Sequence, residues 1–193
     1  MKIMILVALP EEVPTLFKMV TYKKIEPILF FTGVGKVNAA HRATKFILQH
    51  KPELVINYGT AGAIDKTLRG KLVQVGGFVQ RDMDCSPLGF ESGITPYEDT
   101  PKVIGDEYLV CGSGDSFVTT KYTCCGSDVV DMEAYAIAKV CKELSVPFKC
   151  FKYLSDEADE NAGRDWKEFT ATGEDLFIER LENENIYHCR NWD

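Results

Sequence analysis

The sequence predicts a three-layer αβα sandwich around a mixed central sheet, organised as one domain over residues 1–193. Three observations carry this prediction. Apolar, β-branched segments alternate along the chain with stretches of helical periodicity. Several of the strand-like segments are apolar on both faces, as strands covered by helices on each side must be. No repeat, low-complexity tract or linker divides the 193 residues, a length that suits one sizeable core.

The elements follow in order. Ile3 to Ala8 reads as a buried first strand, ended by Pro10 and the pair Glu11-Glu12. A second strand runs from Pro27 to Thr32. From Lys36 a rough apolar face through Val37, Ala40, Phe46 and Ile47 gives a helix that stops near His50, just before Pro52. Strands follow at Leu54 to Tyr58 and at Leu72 to Val79, the latter open to antiparallel pairing. The stretch Asp82 to Gly105 is rich in Pro, Gly and acidic residues and has the length of a functional loop. Glu107 to Cys111 is the next strand. Asp131-Met132-Glu133 opens a helix whose stripe, Ile137, Val140, Cys141 and Leu144, has i, i+3, i+4, i+7 spacing and ends before Pro147. Phe148 to Leu154 reads as a central strand. A last helix starts near Asp165 and runs through Phe169, Phe177 and Leu181.

Composition excludes several classes of function. The net charge of -7 and the lack of any Lys/Arg run make long nucleic acid a poor partner. The seven cysteines are odd in number, and Cys85, Cys111, Cys141 and Cys150 sit in apolar segments where a free thiol packs as a small hydrophobe. Cys124 and Cys125 are adjacent, without a zinc-knuckle gap, and His41, His50 and His188 are scattered, so neither a metal nor a cofactor is expected. The opening apolar run is too short to cross a membrane and lacks a cleavage site. A soluble, cytoplasmic protein in a reducing compartment is expected.

In open α/β sheets, ligands bind beyond the carboxyl ends of the strands. The residues there are Pro10-Glu11-Glu12, Gly33 to Lys36, Gly59 to Gly62, Gly112 to Asp115 and Ser155-Asp156-Glu157-Ala158-Asp159, so glycines and carboxylates gather on one rim. The Gly33 to Lys36 turn reads equally as a phosphate cradle and as a tight strand-to-helix turn, and it lacks the spacing of a P-loop. Asp131 is accounted for by the helix dipole, whereas Glu133 heads an apolar helix between strands and has a second reading as a cleft carboxylate. Asp156 ends a buried strand; it reads either as a general acid with a raised pKa or as an N-cap.

These motifs together resemble the methylthioadenosine/S-adenosylhomocysteine nucleosidase branch of the nucleoside phosphorylase superfamily. The likeness runs through Ala8 to Val13, Gly33 to Ala40, Asn57 to Gly62, Gly112 to Phe117, Asp131 to Ala134 and Ser155 to Asp159, in the family's order. The resemblance implies a nucleoside phosphorylase-like fold and a purine nucleoside as the small-molecule partner. It implies that Glu12 activates water, that Glu133 holds the ribose hydroxyls above Met132, and that Asp156 protonates purine N7. Phe117 would stack on the base, the Val118 backbone would read its edge, and Thr60 would take the place of a serine near the water. Ser155 joins this set beside Asp156, and Trp166 is expected on a segment that closes over the purine, with a core position as its other reading.

The chain is shorter than typical members between Val20 and Pro27, near Lys24, and between Thr100 and Glu107, near Ile104. The resemblance also implies a homodimer, for which Cys85 to Pro96 is the expected contact. Two rival functions stand beside hydrolysis. A phosphorylase would need a cationic phosphate site where this chain has Glu11 and Glu12, and a non-catalytic purine binder would have no need of all three carboxylates.

Overall fold

The computed structural model describes residues 1–23, 27–99, 102–105, 109–119 and 125–184. Lys24, Thr100, Glu107, Cys124 and His188, all singled out from the sequence, lie outside these residues. The strands are β1 (Ile3–Val7), β2 (Ile28–Phe31), β3 (Leu54–Ala63), β4 (Leu72–Val75), β5 (Gly77–Gln80), β6 (Ile104–Gly105), β7 (Val110–Ser113), β8 (Val129–Asp131) and β9 (Phe148–Asp156). The helices are α1 (Pro14–Lys23), α2 (Lys36–His50), α3 (Ala134–Glu143), α4 (Ala162–Phe169) and α5 (Glu174–Asn183).

The strands form one mixed sheet ordered β2-β1-β3-β8-β7-β5-β6, with β9 against β3 and β4 against β9. β1 shows why helices cover both faces. Its Ile3, Ile5 and Val7 pack with Leu16 of α1 and with Phe177 and Leu181 of α5, while Met4 and Leu6 face Ala43 and Ile47 of α2 and Ile137 of α3. A strand buried on both faces gains from every apolar residue, about 1.5–3 kcal/mol for each large one.

The structure departs from the expected elements in several places. Leu72 to Val79 is two strands: β4 runs antiparallel to β9, and β5 runs parallel to β7. β3 continues past Tyr58 to Ala63 because β9 accompanies it through Gly62. The expected last helix is two, α4 and α5, and Gly173 sits between them because a Cβ there would lie 2.2 Å from the Tyr153 ring. Asp131 ends β8 rather than opening a helix, and Glu133 is the N-cap of α3. α1, β8 and the short β6, which lies within the expected loop, were not anticipated.

One topological feature makes the site. β1 pairs with β3 only from Leu54 to Asn57, and β8 joins the same edge antiparallel at Gly62 and Ala63. Between the end of β1 and the end of β8 the sheet opens, with β3 as its floor.

Candidate active site

A cleft of about 290 Å³ fills that opening. It is lined by Leu9 and Glu12 after β1, by Thr60 and Gly62 on β3, and by Asp131, Met132 and Glu133 after β8. Asp156, Phe117, Val118, Arg81 and Trp166 complete the walls. Its size is at the small end of ligand sites, which suits one small molecule and not a polymer. Of the nine site residues that the resemblance implies, Glu12, Thr60, Phe117, Val118, Met132, Glu133, Asp156 and Trp166 line the cleft and Ser155 does not.

Glu12 is buried at the floor, 3% exposed. Pro10 starts a single tight turn after β1 that swings this carboxylate back over β3. Its Oε1 accepts from the Thr60 amide at 2.8 Å and the Thr60 hydroxyl at 3.0 Å, and its Oε2 accepts from the Leu9 amide at 3.0 Å. Gly59 leaves it space, since a Cβ there would lie 3.1 Å from Oε1. Burial raises the pKa, while these donors and the Lys152 charge oppose the rise.

Asp156 closes β9 and faces the cleft from the other side. Its Oδ1 accepts from the Ala158 amide at 3.0 Å, and its Oδ2 accepts from the Ser155 hydroxyl at 2.9 Å. Ser155 therefore supports Asp156 from outside the cleft, because successive strand residues point to opposite faces. Burial raises the pKa of Asp156, and the charge of Asp165 adds to the rise. Burial alone thus moves Glu12 and Asp156 the same way; what distinguishes them is that Glu12 has three donors and the nearby Lys152, whereas Asp156 has two donors and the opposed charges of Asp165 and Arg69.

Glu133 is 8% exposed, with burial first and the Asp131 charge second pushing its carboxyl up to about 8. Its Oε1 accepts from the Gly35 amide at 2.8 Å, and the Lys36 amide donates to Asp115 Oδ1 at 2.7 Å. The glycine turn is therefore not an open phosphate cradle: protein carboxylates already occupy these amides, and the Lys36 ammonium is paired with Asp82.

Phe117 is half exposed at the cleft mouth, and Val118 is buried against Val130 and Ala158. Trp166 reaches the cleft from α4, edge-on to Phe117 with ring centroids 6.4 Å apart. Residues 83, 95 and 98 of the long loop line a second groove with α2 and α3 and do not enter the cleft.

Sequence reasoning passed over two residues. Lys152, fully buried in β9, is 2.8 Å from Asp131 Oδ2, and Asp131 also accepts from Ser113 Oγ at 2.5 Å and the Ala134 amide at 2.9 Å. A signal was present: Lys152 shares the two-residue alternation of Cys150 and Leu154 in a strand buried on both faces, and a buried ammonium needs a carboxylate. Arg81, 6% exposed, donates from Nη2 to the carbonyls of Gly114 and Ser116 beneath the Phe117 loop. No local pattern marks Arg81, which stands outside any periodic segment.

Comparison with known proteins agrees with this geometry. The profile of the Phosphorylase superfamily matches residues 5–112 and 115–182. The 5'-methylthioadenosine/S-adenosylhomocysteine nucleosidase of Lysinibacillus sphaericus (strain C3-41) is 31% identical, covering 77% of this chain and 76% of its own length. The enzyme of the same name from Staphylococcus aureus (strain MRSA252) is also 31% identical, over 76% of this chain and 75% of its own. Among solved structures, a Helicobacter pylori 5'-methylthioadenosine/S-adenosylhomocysteine nucleosidase complexed with a pyrrolidin-3-ol compound has a TM-score of 0.83 at 25% identity, covering 95% of this chain and 98% of that one. The native futalosine hydrolase of Helicobacter pylori shares the fold, with a TM-score of 0.84 at 24% identity over 95% of this chain and 97% of that one. With its motifs gathered in one cleft and its sequence matched along nearly all its described length, the chain belongs to the phosphorylase superfamily and, within it, to the 5'-methylthioadenosine/S-adenosylhomocysteine nucleosidase family.

Proposed function

We propose that the protein hydrolyses the N-glycosidic bond of a 5'-substituted adenine nucleoside, methylthioadenosine or S-adenosylhomocysteine, and releases free adenine. The observation that carries this reading is the convergence of Glu12, Glu133 and Asp156 on one nucleoside-sized cleft. Cleavage passes through an oxocarbenium-like state at C1', so it gains from carboxylates near the sugar and from a leaving base neutralised by protonation. Asp156 gives its proton to N7 as the C1'–N9 bond breaks and the bonding electrons pass into the purine. Glu12 takes a proton from the water that bonds to C1'. Glu133, held through one oxygen by the Gly35 amide, offers the other to the ribose hydroxyls, above Met132. Phe117 stacks on the base beside the Val118 backbone, Thr60 lies by the water, and Trp166 covers the site. Lys152 supports the ionised form of Glu12 by its charge.

The phosphorylase alternative lacks a site: the Gly35 and Lys36 amides hold carboxylates, and Lys36 is paired with Asp82. A panel of purine nucleosides assayed for base release with and without phosphate tests the reading. Release that requires phosphate, or no release from any adenine nucleoside, overturns it.

A homodimer is part of the proposal. Leu88 at 68% and Tyr97 at 94% exposure stand out from the long loop, and Val37 at 78% stands out from α2 beside it, an apolar display suited to a second copy. Light scattering at micromolar protein should give twice the chain mass, and a monomer alone would remove this part.

A further inference from the structure

We propose that Trp166 is a positioning residue for hydrolysis: its indole N–H, bound to Thr60, commits the Thr60 hydroxyl to Glu12 and so ties the seating of α4 to the activation of water. The inference rests on the hydrolytic reading above and adds a residue through which the covering helix acts on the carboxylate.

The geometry is a directed chain. Trp166 Nε1 lies 2.8 Å from Thr60 Oγ1, and Thr60 Oγ1 lies 3.0 Å from Glu12 Oε1. An indole nitrogen can only donate, so the hydroxyl must accept there and its single proton is left for the carboxylate. The Thr60 amide reaches the same oxygen at 2.8 Å, which fixes one edge of Glu12 and leaves for water the lone pair of Oε2 that the Leu9 amide does not use. Without the indole, the hydroxyl is free to turn toward solvent or a ligand.

α4 is held in register on both sides of Trp166. Asp165 is buried and paired with Arg69 at 2.8 Å, and the Thr170 hydroxyl donates to the Trp166 carbonyl at 2.5 Å. The chain from α4 to Glu12 is therefore made of fixed parts. Among the described residues, the other charged or titratable groups that face Glu12 are Lys152 on β9, Glu133 before α3 and Tyr58 on β3. None of them bonds to the Thr60 hydroxyl, so the indole acts on it alone. A phenylalanine at this position would give the same cover and none of the direction.

The test uses the full chain with methylthioadenosine. Trp166→Phe keeps a ring and removes the N–H, Thr60→Val keeps the shape and removes the hydroxyl, and the double variant closes the cycle. Trp166→Phe should lower kcat about three- to tenfold with little change in KM. It should also move the acid limb of the kcat profile to higher pH by roughly half a unit, because Glu12 then loses a donor to its ionised form. In the Thr60→Val background the same change should cost nothing further, while in a Thr60→Ser background the cost should return. An equal loss in all backgrounds, or a loss confined to KM, means packing only and overturns the proposal. A second measurement needs no turnover. With Trp192→Phe, Trp166 is the single tryptophan of the chain, and its emission should titrate with a transition that Glu12→Gln removes. A pH-independent emission overturns the relay, whereas a clear transition in a protein that releases no adenine leaves the relay standing and removes the hydrolytic reading.

Discussion

Lys152 Nζ and Asp131 Oδ2 meet at 2.8 Å with each side chain 1% exposed, an ion pair wholly inside the protein at the wall of the cleft. Burial pushes the Asp131 carboxyl up, but the Lys152 charge and the hydrogen bonds from Lys152, Ser113 and Ala134 outweigh it and hold it below its ordinary value. The pair joins β8 to β9 and, through the Ala134 amide, the head of α3, so the strand end that carries Glu133 is set by it. Removing one partner leaves the other charge buried and alone, which costs about 3–5 kcal/mol. Lys152→Met should therefore lower the melting temperature on the order of 10 °C. Adding Asp131→Leu should recover part of that loss, and calorimetry on the three proteins checks both signs.

Gly62 is the next test of how the cleft is packed. A Cβ at this position would stand 2.7 Å from Asp156 Oδ1, 3.1 Å from a Val130 methyl and 3.2 Å from Ala158, so Gly62→Ala must push the carboxylate aside. Displacements of this size commonly cost about 100-fold in rate. We expect kcat to fall about that far while thermal stability drops by no more than about 1–3 kcal/mol. A variant with normal turnover would show that Asp156 need not sit where it does.

The pH dependence of stability follows from Glu133. Its carboxyl is at about 8 in the fold against an ordinary 4.5, so between those values the folded protein holds a proton that the unfolded chain has released. Stability must then fall as pH rises through this window, and Glu12 and Asp156, also raised, add to the same slope. Glu133→Gln removes this carboxyl's share of the slope. Urea titrations near the two ends of the window should show the variant gaining on the parent by on the order of 2 kcal/mol toward the alkaline end. A constant difference across the window would contradict this origin of the slope.

Much of this was legible in the sequence because the elements that matter announce themselves locally. The double-faced apolar pattern of Ile3 to Val7 and the i, i+3, i+4, i+7 stripe from Ile137 to Leu144 need no knowledge of the rest of the chain. α1 was missed because its cap comes from far away: Glu174 accepts from the Thr15 and Leu16 amides at 3.0 and 2.6 Å. β8 was missed because three residues are too few to show a period, and Asp131 was assigned to a helix dipole because its partner Lys152 lies in another strand. Likewise, Ser155 reads as a ligand contact from its place beside Asp156, whereas the alternation of β9 turns it away from the cleft. The carboxylates of the site lie at strand ends that local patterns locate, whereas the pairings that tune them depend on tertiary register.

The sharpest expectation is for Asp156→Asn. The amide keeps the size of the carboxyl, and its oxygen can still accept from the Ala158 amide or the Ser155 hydroxyl, so the fold and much of the base binding should survive. It can offer a hydrogen bond to N7 but cannot deliver a proton, and loss of general acid catalysis costs about 100- to 10,000-fold. The defect should lie in kcat rather than KM, because protonation is needed only as the bond to the base breaks. Glu12→Gln should be slow for a different reason: water is left without a base, and the new amide nitrogen meets a donor at Leu9 or at Thr60, whichever oxygen it replaces. The two defects should also differ in their dependence on the leaving group. A nucleoside whose base leaves readily without protonation should restore much of the rate to Asp156→Asn and little to Glu12→Gln. Base release from methylthioadenosine and from such a nucleoside, measured for both purified variants, decides between these roles; near-parental turnover of methylthioadenosine by Asp156→Asn would remove the general acid from this carboxylate.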